Sequence, residues 1–408
     1  MTFESRRALA FVVFAFLGAA CGDSPAPANL LWVGSVGRAL PASTEANVFW
    51  IDVGVNGRPG PQAIVDTGAP YCLFDVDAFD GQVPKGSGRV ATMQLGDTVL
   101  WKVPTVGVHG EDRAAPNGKR QGGILGFTAF GQFPISFNYR DSTVAVGGAP
   151  PPAGVGPRIA IPFSIEGGGR GRLPDDAGIV PLDPSRIIVT ATVEGVPGTY
   201  LLDTGASWVA LRTAFLQSLA ADGRKQVADI ANLAEGETAM TTVTRLRTIS
   251  VEGIEVTNAI AAAGLRVDEL LTSLAIEVGH PIDGLLGAPF LREFFVTVDY
   301  PKRALELYRF DTQSHVKDAY RRVGIDLTGR ATDRGMTYVV RSVYPGSDAQ
   351  AKGLKSNERV LSIDGVSLAD ADALTADMML LGQVGTTRAL ELPDRTVDVA
   401  VEDLLPLP

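Results

Sequence analysis

The 408-residue sequence contains few of the side chains on which metal-dependent and covalent hydrolysis usually depend. It has two cysteines and three histidines. The histidines are far apart in the sequence, so they cannot form a zinc site with recognised ligand spacing. A Ser-His-Asp hydrolase is disfavoured as well, because no G-x-S-x-G turn is present. The sequence therefore predicts neither a bound metal nor another cofactor.

Excess positive charge and a long apolar span are also missing. The formal net charge is −10, whereas a nucleic-acid-binding face must be cationic to neutralise phosphates. We therefore expect no nucleic-acid partner. The apolar run at 8–20 is too short for a comfortable membrane span. With 45% hydrophobic and 20% charged residues, the chain has an ordinary globular composition.

The N-terminal sequence predicts a targeting signal. Two arginines precede the apolar run, which ends in small residues before Cys21. This pattern resembles a bacterial lipoprotein signal, which implies cleavage, lipidation of Cys21 and residence in the bacterial cell envelope on the periplasmic or outer-membrane face. Residues 1–21 are then the signal peptide and 22–45 a tether. A plain signal peptide cut nearby and an uncleaved anchor are the alternatives.

An internal repeat is the most informative property of the chain. The run IVDTGA at 64–69 returns as LLDTGA at 201–206, an offset of 137. Each copy follows an alternating, β-branched stretch and a glycine-containing turn, which predicts a hairpin that delivers its aspartate at the end of the second strand.

A second segment repeats without a gap. The stretch that begins GILG at 123–126 aligns with the one that begins GLLG at 284–287, an offset of 161. The larger offset locates a 24-residue insertion within 213–271. The repeats predict lobe one at 46–148, a Pro- and Gly-rich linker at 149–174 and lobe two at 175–310.

Two matched aspartates suit metal-free hydrolysis of a peptide bond. One group must take a proton from water while another donates a proton to the substrate. Two facing carboxyls can do both if they share one proton, because like charges so close resist double ionisation. The alternative for Asp66 and Asp203 is a structural role in the β-turns of a duplicated barrel.

The two lobes resemble retropepsin-like aspartic proteases fused in tandem, as pepsins are. The resemblance spans roughly 49–307. It implies a mainly β fold of two β-barrel lobes forming a pseudo-dimer, with Asp66 and Asp203 as the catalytic dyad. It also implies that Thr67 and Thr204 reach the opposite lobe, and that the second motif threads behind each aspartate. The active-site turns are Asp66, Thr67, Gly68 and Ala69 in lobe one, and Asp203, Thr204, Gly205 and Ala206 in lobe two.

The sequence departs from the pepsin pattern around the dyad. Candidates for the hairpin that covers the cleft are 95–98 (LGDT) and 235–237 (EGE), and neither carries the tyrosine found in pepsins. Ala69 and Ala206 occupy positions where pepsin-like enzymes often have serine. Because alanine cannot donate a hydrogen bond to the carboxylates, we expect activity to extend toward neutral pH.

The region 320–403 resembles a bacterial PDZ domain, a small α/β fold. The resemblance rests on SDAQAKGL at 347–354 followed by VLSIDG at 360–365. It implies a groove that adds a peptide as an extra strand and holds its terminal carboxylate on backbone N–H groups. Val323, Gly324 and Ile325 match the carboxylate-binding loop, and a helix at 374–381 forms the other wall. The alternative is a PDZ fold that only packs on the lobes.

These features together predict an aspartic endopeptidase with protein or peptide substrates, peptide C-termini as PDZ ligands and a lipid anchor in a membrane. The alternative function is a tethered, catalytically silent adaptor that binds peptides through its PDZ groove. A third possibility is that each lobe pairs with its equivalent in another molecule. Intact aspartates in both lobes favour the enzyme.

Overall fold

The computed structural model describes most of the chain outside the N-terminal region. The described residues are 4–5, 10–11, 31–34, 37–44, 47–109, 121–172, 179–233, 238–311, 321–332, 335–369, 371, 376 and 379–406. Cys21 and most of the predicted signal peptide and tether therefore lie outside the described residues. None of the helices in the described part of the chain is long and apolar enough to cross a membrane.

Lobe one and the N-terminal segments are built almost entirely of strands. Their elements are β1 (Glu4–Ser5), β2 (Ala10–Phe11), β3 (Leu31–Val33), β4 (Leu40–Pro41), β5 (Trp50–Val55), β6 (Arg58–Val65), β7 (Cys72–Asp75), β8 (Gly86–Leu95), β9 (Thr98–Val108), β10 (Gln121–Leu125), α1 (Phe127–Phe130), β11 (Pro134–Asn138) and β12 (Thr143–Val146). Strands β9, β7, β10, β6, β5 and β8 pair in that order, and β8 returns to pair with β9. The lobe is therefore a closed barrel.

The predicted hairpin before Asp66 is formed by β5 and β6. It turns at Asn56 and Gly57, which both have positive φ (51° and 78°). Two positive φ values match the right-handed twist of the strands, as in a type I′ turn. In lobe two, Glu194 and Gly195 turn the same way with φ of 52° and 80°, so this part of the repeat is structurally equivalent in both lobes.

The segment between the lobes contributes strands of its own: β13 (Ile159–Pro162), β14 (Ser164–Glu166), β15 (Gly169–Arg172) and β16 (Ile179–Leu182). The first pairs with the last strand of lobe two, and β14 pairs with the first strand of lobe two at 186–188. The predicted linker is thus a structured crossing that is tied to lobe two.

Lobe two repeats the plan of lobe one and enlarges it. Its elements are β17 (Arg186–Val193), β18 (Val196–Leu202), β19 (Val209–Leu211), α2 (Thr213–Ser218), a 3-10 turn (Leu219–Asp222), β20 (Gln226–Leu233), β21 (Thr238–Arg245), β22 (Thr248–Val251), β23 (Ile254–Thr257), β24 (Ile260–Ala263), α3 (Leu265–Val278), β25 (Gly284–Leu286), α4 (Ala288–Leu291), β26 (Phe294–Asp299) and β27 (Ala304–Arg309).

The inserted residues of lobe two add strand β20, which pairs with β21. In lobe one Cys72 pairs in parallel with Thr105, and in lobe two Val209 pairs in parallel with Ala261. The offset between equivalent residues rises from 137 to 156 between these points, so 19 of the 24 extra residues lie before Ala261. They include β20, whereas β21 from Thr242 onward pairs with β24 as β8 from Gly86 onward pairs with β9.

A six-stranded sheet joins the two lobes. Its order is β13-β27-β26-β11-β12-β4, with β11 of lobe one antiparallel to β26 of lobe two. Ser136 pairs with its repeat equivalent Thr297, and their hydroxyl oxygens are 2.8 Å apart. The pseudo-twofold axis therefore passes between these two residues, and the two lobes pair within one chain.

The C-terminal region forms a small mixed domain on lobe two. Its elements are β28 (Arg321–Val323), β29 (Ile325–Thr332), β30 (Gly335–Val343), α5 (Asp348–Ala351), β31 (Arg359–Val360), β32 (Ser362–Ile363), β33 (Val366–Ser367), β34 (Thr387–Glu391) and β35 (Thr396–Asp403). Tyr344, Leu404 and Leu405 leave its own core and join a buried apolar cluster of lobe two. The side chain of Arg245 donates to the Leu405 carbonyl at 2.8 Å, so this domain is docked partly through the residues that follow its last strand.

Candidate active site

The two repeated aspartates occupy equivalent places at the ends of β6 and β18. The main-chain N–H of Asp66 donates to the Leu125 carbonyl at 3.0 Å, and that of Asp203 donates to the Leu286 carbonyl at 3.1 Å. The carbonyl-bearing strands β10 and β25 run parallel to β6 and β18. Each aspartate therefore begins its turn with its backbone already anchored.

The second repeated motif lies directly behind the aspartate turns. A Cβ added to Gly126 would sit 2.6 Å from the Ala69 carbonyl oxygen, and one added to Gly287 would sit 2.5 Å from the Ala206 carbonyl oxygen. Glycine is required because the supporting segment packs against backbone rather than against adjustable side chains. This is the threading that the family resemblance implies.

The carboxyl groups of Asp66 and Asp203 meet across the boundary between the lobes. A Cβ on Gly68 would lie 2.6–2.8 Å from the carboxyl atoms of Asp203, and a Cβ on Gly205 would lie 2.5–2.7 Å from those of Asp66. Each carboxylate also accepts its own turn's N–H, at 2.7 Å from Gly68 and 2.8 Å from Gly205. Each aspartate is thus held by its own lobe and touches the glycine of the other.

The two threonines lock the turns together. The Thr67 hydroxyl donates to the Leu202 carbonyl at 3.2 Å, and the Thr204 hydroxyl donates to the Val65 carbonyl at 2.9 Å. Each hydroxyl oxygen also accepts the other threonine's main-chain N–H at 3.0 Å. Four buried hydrogen bonds therefore set the distance between the lobes at the dyad.

Burial dominates the electrostatics of the dyad. Asp66 and Asp203 are both fully buried, and burial raises the pKa of each above its usual range. The charge of Asp203 raises the pKa of Asp66 further. The N–H of Gly68 and the N–H of Gly205 act in the opposite direction by hydrogen bonding to the carboxylates. Such a pair favours the state in which the two carboxyls share one proton.

A buried ion pair beside the dyad was not predicted from the sequence. The Arg186 guanidinium bonds Glu277 at 2.8 Å through two nitrogens, and its third nitrogen donates to the Gly68 carbonyl. The side chains of Arg186 and Glu277 are only 1% and 3% exposed. The sequence does contain one sign of this pair. Arg186 begins a buried, β-branched strand, whereas its lobe-one equivalent, Val48, is apolar.

The lobe-one candidate for the cleft hairpin is wrong. Gly54 and Val55, at the far end of β5, pair with Gln94 and Met93, so the turn at 95–98 lies at that end of the barrel. The eight residues of β6 then separate it from Asp66 by about 25 Å of strand. The 95–98 turn is equivalent to the turn at Glu252 and Gly253 of lobe two, because Val193 pairs with Ile249 just as Val55 pairs with Met93. The lobe-two candidate at 235–237 lies outside the described residues.

The PDZ candidates occupy the junction between β28 and β29. Val323 and Ile325 are fully buried in the domain core, and the Val323 N–H donates to the Leu380 carbonyl at 2.9 Å. A Cβ on Gly324 would lie 2.1 Å from the Cβ of Ser347. Of the predicted helix at 374–381, residues 376 and 379–381 are described.

Metal ligation finds no support among the described residues, where no group of three or more His, Cys, Asp or Glu side chains could hold an ion. Cys72 is buried within lobe one, and burial raises the pKa of its thiol to about 11. It is therefore a core residue rather than a reactive thiolate.

Comparison with known proteins agrees with this geometry. Residues 189–290 match the aspartyl protease family and residues 313–392 match the PDZ domain family. The chain thus carries a domain of the aspartic endopeptidase type of hydrolase. It combines an aspartyl protease with a C-terminal PDZ domain in a mainly β fold, which confirms the expected resemblance and fold class.

Matches among solved structures include two aspartic proteases. The aspartic proteinase from Irpex lacteus is 15% identical with a TM-score of 0.44, covering 69% of this chain and 99% of that one. A retropepsin-like aspartic protease from Rickettsia conorii is 21% identical with a TM-score of 0.22, covering 38% of this chain and 90% of that one. The search of curated proteins found no match.

Proposed function

We propose that this protein cleaves peptide bonds with one water molecule activated by Asp66 and Asp203, which share a proton. The observation that carries the proposal is the contact of each carboxyl with the glycine of the opposite turn. Each lobe contributes one aspartate of the dyad and one of the two threonines that bond to each other across the lobe boundary. A single chain therefore assembles the whole dyad.

The proposed reaction uses the two carboxyls in opposite protonation states. The ionised carboxyl takes a proton from water, and the protonated one donates its proton to the carbonyl oxygen of the scissile bond. Burial and mutual repulsion disfavour loss of both protons. The Gly68 and Gly205 N–H groups hold one oxygen of each carboxylate, which leaves Oδ2 of each as the proton-transferring atom.

The PDZ domain is proposed to bind the C-terminal ends of peptides along β29. That strand pairs with β30 over its full length, and its other edge pairs at Gly329 and Arg330 with Glu4–Ser5. The edge at 325–328 is open to an added peptide strand, and cleavage of the predicted signal peptide would open the rest of that edge. A reduction in binding of C-terminal peptides by Gly324→Val would support this role, since the added side chain meets Ser347.

Cys21 is proposed to carry a lipid that anchors the mature protein in the bacterial cell envelope. The supporting evidence is the basic start, the short apolar run and the small residues before the cysteine. Radiolabelled fatty acid should enter the parent protein and not the Cys21→Ser variant. Equal labelling of both variants would overturn the anchor.

The deciding experiment is hydrolysis of a mixed peptide library by the full-length protein across pH 3 to 8. Asp66→Asn and Asp203→Asn should each abolish cleavage, because either substitution removes a carboxyl from the dyad. Asp398→Asn, on an exposed position of β35, is the matched control and should cleave like the parent. Cleavage that survives either dyad substitution would contradict the mechanism.

A silent peptide-binding adaptor is the second candidate function. The observation in its favour is that both dyad carboxyls are fully buried. It predicts that the parent protein cleaves no library peptide at any pH while it still captures peptides through their free C-termini. The same library, read once for cleavage and once for capture, separates the two functions.

A further inference from the structure

Arg186 connects the lobes at the active site. It is the first residue of β17 in lobe two, yet it donates to the carbonyl of Gly68 in lobe one. Gly68 in turn donates its N–H to Asp66 and abuts the carboxyl of Asp203. The guanidinium thus acts on a residue that touches both catalytic carboxyls.

Glu277 holds this guanidinium in place. It lies near the end of α3 and accepts two hydrogen bonds of 2.8 Å, the bidentate geometry that suits arginine and carboxylate. Burial lowers the pKa of Arg186, but the Glu277 carboxylate raises it above its usual value overall. The arginine therefore remains charged, and its charge is largely balanced by one neighbour.

The pair is asymmetric between the lobes. Ile188 pairs with Leu201 in lobe two, and Trp50 pairs with Ile64 at the equivalent place in lobe one. Arg186 and Val48 each lie two residues earlier, so they are equivalent positions. Val48 is fully buried and uncharged. Arg186 therefore places a cation from lobe two beside a dyad that is otherwise nearly twofold symmetric, and its charge lowers the pKa of both aspartates.

Other titratable groups surround the pair and the dyad. Tyr139 and Tyr300 are buried beside the aspartates, and burial raises the pKa of both phenols, so they are neutral at the pH of the assay. The groups that face Arg186 and Glu277 are Tyr71, Asp183 and the Glu166–His280 ion pair, which approaches through Gly167. The phenol of Tyr71 also has a raised pKa because of burial. The partly buried Arg292 acts on Tyr139, whereas the charge of Arg186 acts on both aspartates.

We propose that Arg186 and Glu277 act together as positioning residues that hold the Gly68 turn against Asp203 and set the charge balance of the dyad. This inference rests on the proposed function, since it concerns the same two carboxyls. Removing the cation should make the dyad harder to ionise, and removing the anion should make it easier.

The test is the pH profile of kcat/KM, whose two limbs report the ionisations of the free enzyme. In the full-length protein, Arg186→Met should move both limbs to higher pH and Glu277→Gln should move both to lower pH. A displacement on the order of one pH unit is expected from charges at this separation. Arg186→Lys keeps the charge and should retain the parent's limbs with a lower kcat. The double variant Arg186→Met/Glu277→Gln should return toward the parent.

Each outcome of this experiment is decisive. Opposite displacements support the inference, whereas limbs that stay in place or move in the same direction overturn it. Glu277→Gln preserves side-chain size. If Arg186→Met fails to fold, the pH profile of Glu277→Gln alone decides the question. Loss of folding in Glu277→Gln as well would make the pair purely structural and overturn the charge role. If the parent cleaves no peptide, or if Asp66→Asn still cleaves, the result would instead count against the proposed function.

Discussion

Thr67 and Thr204 each accept the other's main-chain N–H at 3.0 Å, although they belong to different lobes. Each hydroxyl also donates to a carbonyl one residue before the opposite aspartate. The contact ties the register of one active-site turn to that of the other, so the stability of the lobe boundary and the alignment of the dyad depend on the same atoms.

Replacing Thr67 with valine should separate shape from hydrogen bonding at this contact. Valine retains the branched shape but leaves the buried Thr204 N–H and Leu202 carbonyl without partners, which costs about 2–4 kcal/mol of unfolding free energy. Urea denaturation measures the loss, and peptide cleavage should fall with it. Thr67→Ser keeps the hydroxyl and should stay close to the parent; equal losses in the two variants would show that the hydroxyl is unimportant.

Gly68→Ala should impair catalysis more than folding. The new methyl group would overlap the Asp203 carboxyl, and a displacement on the order of 1 Å lowers kcat by roughly a hundredfold. The matched control is Gly156→Ala, whose added methyl makes only an ordinary 3.6 Å contact with the Arg309 carbonyl. Steady-state kinetics and melting temperatures of both variants test this, and an active Gly68→Ala would show that the two turns are farther apart than described.

The buried dyad should make the protein less stable as pH rises. The pKa of Asp66 is raised by burial above the ordinary 3.8, so between 3.8 and the raised value the folded state binds more protons than the unfolded state. Stability therefore falls with pH across this window. Asp66→Asn cannot ionise, and we expect it to melt above the parent at pH 7 and to lose that advantage near pH 3.5. Asp398→Asn should show no such difference, and a parent that melts above Asp66→Asn at pH 7 would contradict the argument.

Alanine at the fourth position of each turn should matter for the pH range of activity. Ala206 is fully buried beside Asp203, and a serine there could donate to the carboxylate and favour its ionised form. Ala206→Ser is expected to shift the acidic limb of kcat/KM to lower pH, whereas Ala206→Gly, which adds no donor, should leave it in place. A parent profile confined below about pH 4, where unperturbed carboxyls titrate, would contradict the expectation.

Docking of the PDZ domain should depend on Leu405. Its side chain is 1% exposed in the apolar cluster of lobe two, and truncation of a buried leucine costs about 2–5 kcal/mol. Leu405→Ala should therefore convert one melting transition into two, as the PDZ domain separates from the lobes. Leu381→Ala, at a 41% exposed leucine, is the control. A single unchanged transition in Leu405→Ala would show that other contacts hold the domain.

Local sequence patterns were sufficient to predict both aspartate turns and the hairpins that deliver them. The Asn56–Gly57 and Glu194–Gly195 turns lie where alternating strands end, and the GILG and GLLG segments lie behind the dyad. The cleft hairpin was harder, because a turn signal such as 95–98 gives no information on which end of the barrel it occupies. Only the pairing of Val55 with Met93 places that turn away from Asp66.

Sequence alone was enough to predict the duplicated lobes, the two Asp-Thr-Gly turns and the PDZ motif. The lobes follow from a repeat that can be aligned without a structure, and each motif consists of residues close together in the chain. The tertiary structure alone decided that Arg186 contacts Gly68, that Glu277 balances it and that Leu405 enters lobe two. These contacts join residues 91 to 160 positions apart. Partners so distant are selected by packing and by the need to pair buried charges, which no local pattern records.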